Sequence, residues 1–279
     1  DILELPPNGH GATALLMARM LERFAVGELD PFGAERTHLE AEAAKIAYAA
    51  RDEAIADPAH MTMPVEDFFG DATAARLAAR LDPGRATPPP AAPLGRPHRD
   101  TVYITVVDRD RMAVSLIYSI FASFGSGIQS ERFGVLFNNR ATGFTLAEGH
   151  PNEAAGGKRP MHTIIPGMLR EGGHVVMPFG VMGGPYQPNG HMRLVSNLLD
   201  FGMDVQAAID APRSFQDGTA LTLEAGYDEA VARDLAARGH AVQRAEAGIG
   251  GAQAIRIDHA RGILVAGSDP RKDGIALGY

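Results

Sequence analysis

The sequence predicts a layered α+β sandwich, and three observations carry that prediction. Residues 1–82 place apolar side chains at helical spacing, a proline-rich stretch follows, and from Thr101 the pattern changes abruptly to short β-segments with flanking helices. Strands clustered in this way suggest stacked layers rather than a regular βαβ alternation, and no internal repeat is present.

Asp1-Ile-Leu-Glu-Leu-Pro-Pro reads as a strand entering a turn. It has neither an initiator methionine nor a signal-peptide pattern, so an upstream portion is expected, and any targeting signal with it. Leu15, Leu16, Met20, Leu21 and Phe24 recur at helix spacing, with Gly27 as the expected stop. Thr37-His-Leu-Glu40 has the form of a capping box, which predicts a helix starting there and running through Ala43, Ile46, Ala47 and Ala50. A shorter helix is expected after Asp71, on Ala75, Leu77 and Leu81. Five prolines between Pro83 and Pro93, with Pro97 beyond, exclude helix and internal strand, so 82–100 is an extended linker.

Thr101–Asp108 and Arg111–Ser119 predict a hairpin turning at Arg109-Asp110. Further strands are expected at Gly134–Asn138, after the turn Gly125-Ser-Gly127, and at His174–Gly180. Gly183-Gly184 then precedes a helix from Pro188 to Asp200. A strand at Leu221–Glu224, a helix at Asp228–Arg238 closed by Gly239, and strands at Ala252–Asp258 and Gly262–Gly267 complete the chain.

Composition narrows the function. A hydrophobic fraction of 45% and a charged fraction of 22% are those of a globular protein, and a net charge of −8 supplies no basic stripe for nucleic acid. Cysteine is absent, which removes disulfides and thiolate chemistry and suits cytoplasm and periplasm equally. No apolar run approaches the ~18 residues of a membrane-spanning helix. The ten histidines include no His-x-His and no His-Glu-x-x-His, so no metal site is predicted; His10, His38, His60 and His240 are expected at the surface or at caps.

Three segments can carry chemistry. Thr101 is an ordinary strand former, yet it stands where an exposed linker meets a β-hairpin at one peptide bond. Released as a chain terminus, a threonine carries its own base, because an α-amine with a pKa near ~7.7–8 can accept the hydroxyl proton. Gly180-Val-Met-Gly-Gly184, between strand and helix, is either a plain turn or a place where backbone N–H groups face a reacting carbonyl. Gly156-Gly-Lys-Arg-Pro-Met-His-Thr163 is a basic, polar loop, open to the reading of a solvated turn.

These segments together resemble the gamma-glutamyltranspeptidase family. The resemblance runs through Thr101-Val-Tyr-Ile-Thr-Val-Val-Asp108, Ala113-Val-Ser115, Phe124-Gly-Ser-Gly-Ile128, Asn138-Asn139 and Gly157-Lys-Arg-Pro160. It continues through Gly183-Gly184, Asp200-Phe-Gly-Met203, Ala208-Ile-Asp-Ala-Pro-Arg213 and Ser268-Asp-Pro-Arg271. Upstream, Leu5-Pro-Pro-Asn8 and 38–48 are similar to the end of the family's large subunit.

The resemblance implies an N-terminal nucleophile hydrolase with a four-layer αββα sandwich. It implies a precursor that cuts itself between Asp100 and Thr101. Residues 1–100 would then end the large subunit and 101–279 form the small one, with further dimerisation left open. Thr101 would be the nucleophile, Gly183 and Gly184 the oxyanion hole, and Ser119 a supporting hydroxyl where the family has threonine. No cofactor is implied.

At the positions that bind the glutamyl amino and carboxylate groups, this chain carries Phe121, Arg140, Gly143 and His162-Thr163 instead of the family's residues. The aspartate that would meet a substrate ammonium is absent and a cation stands nearby, which disfavours an amine and suits a small anion. Arg140 can alternatively be a structural surface residue. Phe-Gly-Val-Met-Gly-Gly184, Asn139-Arg140 and Pro160-Met-His-Thr163 are most similar to the branch containing oxamate amidohydrolase. The expected activity is thus hydrolysis of a small carboxylate-bearing amide. The alternatives are a gamma-glutamyl transferase or hydrolase, a glutaryl-type acylase, and an unprocessed silent domain.

Overall fold

The computed structural model describes residues 1–88 and 101–279; the later linker residues, and Asp100 with them, lie outside the described residues. Helices α1 (Gly11–Leu21) and α2 (Ala34–Ala54) come first, followed by the short α3 (Val65–Phe68) and α4 (Asp71–Ala78). Strand β1 (Ile2–Glu4) precedes them all. The hairpin β2 (Val102–Val107) and β3 (Ala113–Tyr118) opens the second part. Then come β4 (Gly167–Glu171), β5 (His174–Met182), α5 (Gln187–Leu199) and α6 (Val205–Asp210). The chain continues through β6 (Ser214–Gln216), β7 (Leu221–Leu223), α7 (Glu229–Ala237), β8 (Val242–Arg244), β9 (Gly251–Asp258) and β10 (Ile263–Ser268).

The central sheet has the order β1-β4-β5-β9-β10, every neighbouring pair antiparallel. Its two faces follow from the alternation along β5. Phe179 and Val181 join the main core with Leu16 and Met20 of α1, Ala43 of α2 and Leu194 of α5. Between them Gly180 faces the other way, onto the hairpin, where an added Cβ would lie 2.3 Å from the Tyr103 ring. Tyr103, Ile117 and Met182 form a small second core there. The Tyr103 hydroxyl pairs with Ser115 Oγ at 2.7 Å, and Ser115 Oγ donates to the Phe179 carbonyl at 3.1 Å. Helices, sheet and hairpin are therefore successive layers, α, β and β. A separate sheet, β6-β7-β8, packs with α7 on α2 through Leu221, Leu223, Leu235 and Ala41.

Several expectations are corrected. Helix α2 begins at Ala34 with Gly33 as its N-cap, and Thr37 Oγ donates back to the Gly33 carbonyl at 2.8 Å, so no capping box forms at Thr37. Gly27 sits inside a 3-10 turn, Val26–Glu28, rather than ending α1. Gly134–Asn138 is not a strand: among the described residues it has one bridge, Gln129 to Leu136, and no neighbouring ladder to bury Phe133, Val135 and Phe137. His10, His38 and His240 are buried, not surface residues, because each finds a buried polar partner; His60 is exposed as expected. Strands β4, β6 and β8 and helix α6 carried no sequence signal strong enough to predict. Among the described residues no helix is long and apolar enough to cross a membrane.

Candidate active site

The β2–β3 register brings the predicted site residues to one end of the hairpin. Val102 pairs with Tyr118, so Thr101 and Ser119 flank that pair on the two strands. Thr101 shares the inward phase of Tyr103 and is buried. Ile164 packs on the Tyr103–Ile117–Met182 cluster, which gathers the start of β2, the end of β5 and the loop carrying His162 and Thr163.

The end of β5 turns on two adjacent glycines in positive-φ backbone, which strains any side chain placed there. Gly183 has φ +137° and Gly184 φ +58°, and a Cβ on Gly183 would meet the Gly250 Cα and Tyr186 Cβ at 3.2 Å each. A 3-10 turn, Gly184–Tyr186, leads directly into α5, whose N-terminal end points its dipole at this turn. The Gly250 loop is fixed from behind. Ile249 N–H donates to Glu224 Oε1 at 2.7 Å, and Arg213 Nη1 donates to the Ile249 carbonyl at 2.9 Å. Arg213 pairs with Asp269 at 2.5 Å and Arg271 with Glu224 at 2.7 Å. The two arginine-containing motifs near the C-terminus are thus the buttress of the glycine turn, a role that their sequence does not disclose.

The opposite wall is cationic. Arg140 opens a 3-10 turn, Arg140–Gly143, after Asn138 Oδ1 accepts its N–H at 3.0 Å. Its Nη2 donates to Ser119 Oγ at 2.6 Å and to the Ser119 carbonyl at 3.1 Å. Its Nη1 is buried without a protein partner among the described residues. Phe121, held at φ +77°, lies with its ring centroid 5.7 Å from the guanidinium. His162 is pushed down to about 4 by burial, by Arg140 and by Arg159, so it is neutral at neutral pH. Ile164 N–H donates to His162 Nδ1 at 3.3 Å, which leaves the proton on Nε2. The Thr163 carbonyl accepts from His10 Nε2 at 2.9 Å. Gly143 admits no side chain: a Cβ there would stand 2.1 Å from the Met161 carbonyl oxygen.

The Arg140–Ser119 bond, the Asn138 side chain that accepts the Arg140 N–H and the Gly250 loop are site features that sequence reasoning missed. A cavity of about 370 Å³ lies elsewhere, lined by α1, α5 and the Glu4–His191 pair. It contains none of these groups. His191 accepts the Val181 N–H at 3.1 Å and donates to Glu4 at 2.7 Å, which makes that pair a support for β5.

The gamma-glutamyltranspeptidase family model matches residues 1–279. The glutathione hydrolase-like YwrD proenzyme of Bacillus subtilis is 33% identical over all of this chain and 54% of its own length. The oxamate amidohydrolase proenzyme of Klebsiella pneumoniae is 33% identical over 99% of this chain and 53% of its own. The crystal structure of cephalosporin acylase from Bacillus halodurans superposes with a TM-score of 0.89 at 34% identity, covering all of this chain and 51% of that one. The chain spans about half the length of the relatives it matches.

Proposed function

Because the chain belongs to the gamma-glutamyltranspeptidase family and has its N-terminal nucleophile hydrolase fold, we propose that it is the catalytic part of a self-processing amidohydrolase. Its substrate is a small amide bearing a carboxylate and no amine, of the oxamate kind. Cleavage between Asp100 and Thr101 frees the Thr101 amine, ending a large subunit at residue 100 and starting a small one at 101. Thr101 Oγ attacks the amide carbon while its proton passes to the α-amine. The carbonyl oxygen becomes an oxyanion held by backbone N–H groups of Gly183 and Gly184. The nitrogen leaves as ammonia carrying that proton, and water then hydrolyses the acyl ester, restoring the threonine. Ser119, fixed by Arg140, supports the nucleophile.

The observation that carries the substrate class is the Arg140 guanidinium, whose buried Nη1 lacks a protein partner among the described residues, beside neutral His162. A carboxylate completes that arrangement, whereas an ammonium there meets a cation and no acid. Gly143 supports the same reading, because this backbone leaves no room for an aspartate.

Intact-mass measurement of the full-length protein tests the mechanism. Two masses dividing before Thr101 are expected, and Thr101→Ala should give one uncut mass and no turnover. Turnover by that variant overturns the mechanism. Hydrolysis of a gamma-glutamyl anilide at a rate near that on oxamate would overturn the substrate class alone.

A further inference from the structure

Helix α2 and the segment after α7 meet at a buried group of side chains that the proposed reaction does not use. His38 and Glu42 lie one helical turn apart on α2, and His240 follows α7. One ligand atom from each lies within 4.8 Å of the others, and all three residues are buried. His38 Nε2 faces the Asp82 carbonyl at 2.8 Å and must donate to it, so its Nδ1 presents a lone pair to the cluster. His240 Nε2 stands 2.8 Å from that Nδ1, while His240 Nδ1 is buried without a protein partner among the described residues. Glu42 is oriented in turn: its Oε2 accepts from Thr87 N–H at 3.0 Å and from Thr87 Oγ at 2.6 Å.

We infer that His38, Glu42 and His240 form a binding site for one divalent metal ion of the zinc class, tying α2 to the segment after α7. Two imidazoles and a carboxylate are the donor set of borderline metals. A histidine whose second nitrogen donates to a backbone carbonyl, and a carboxylate held by outer hydrogen bonds, are the supports such ligands require. The imidazole nitrogens need only part from 2.8 Å to ~3.3 Å for tetrahedral bonds of ~2.0–2.1 Å. The competing cation is Lys45, whose Nζ donates to Glu42 Oε1 at 2.6 Å; it keeps the Thr87 carbonyl, at 2.8 Å, as a partner when the metal takes Glu42. Since α2 belongs to residues 1–100 and His240 to 101–279, the ion would bind across the two pieces that cleavage before Thr101 creates. The inference does not depend on that cleavage.

Tag-free full-length protein, dialysed against zinc and then buffer, should retain about one zinc per chain by elemental mass spectrometry. His240→Ala should lose it, and Lys45→Met should bind zinc more tightly than wild type. Equal zinc in wild type and His240→Ala, whether none or one, overturns the inference, as does weaker binding by Lys45→Met. Should His240→Ala fail to fold, cobalt-loaded wild type decides: intense visible bands of a tetrahedral ion are expected, and their absence overturns the site.

Discussion

The two walls of the candidate site are built in opposite ways. Behind the Gly183-Gly184 turn, Arg213, Asp269, Arg271 and Glu224 are paired with one another and with backbone groups, and the loop they hold lies in van der Waals contact with Gly183. Across from it, 119–163 has one short 3-10 turn, Arg140–Gly143, exposed Phe124, Phe133 and Leu146, and a guanidinium with one buried nitrogen that has no protein partner among the described residues. The difference teaches a division of labour. The oxyanion hole proposed for Gly183-Gly184 must be preorganised, because its donors act only if they are in place before charge develops. The substrate wall proposed around Arg140 can differ between relatives because its loops are not locked into a sheet.

Breaking the rigid wall should have the largest effect. Asp269→Asn leaves the buried Arg213 charge uncompensated, a loss of ~3–5 kcal/mol that should lower Tm by about 10 °C in a calorimetric scan. Turnover should fall with KM little changed, since the Gly250 loop shifts under the turn proposed as the oxyanion hole. Burial raises the Asp269 carboxyl, but Arg213 and the N–H groups of Arg271 and Ala252 outweigh it and hold it below the usual range. Its stabilisation is present above the unfolded pKa and fades as pH falls through the folded one. The gap between wild type and Asp269→Asn should therefore persist down to about pH 4 and narrow below.

The recognition wall should respond in substrate choice rather than stability. Arg140→Gln should raise KM for a carboxylate-bearing amide about 10–100-fold, the worth of a charge-assisted hydrogen bond. Steady-state kinetics on a neutral amide of the same size should change less, since only the Ser119 contact is then lost. Equal losses on both substrates would show that Arg140 acts through Ser119 and not on the substrate.

The smallest effect concerns His162. Its folded pKa of about 4 lies below the unfolded value near ~6.5, so the unfolded chain binds more protons between them. Stability is full above pH ~6.5 and falls as the pH drops toward 4, and His162→Gln should flatten that slope in urea titrations run across this window.

Much of this was legible in the chain. The helical first part, the hairpin at Thr101 and the strand at Ala252–Asp258 follow from periodicity and turn residues, because each buries one face, the helices and that strand against the main core and the hairpin against the smaller one. The strand expected at Gly134–Asn138 failed because apolar alternation alone cannot create a partner strand. Thr37 failed as a cap because Gly33, with extended φ and ψ, had already started α2 one turn earlier.

By itself, the sequence determined the α+β layering, the glycine pair at 183–184 and the family resemblance with its candidate residues. Only tertiary structure decided that Arg140 clamps Ser119, that Arg213 and Arg271 serve the Gly250 loop, and that His38 and His240 meet in the interior. These are contacts between residues 21 to 202 positions apart. Local pattern records which face of an element is buried, but not which distant side chain closes on it.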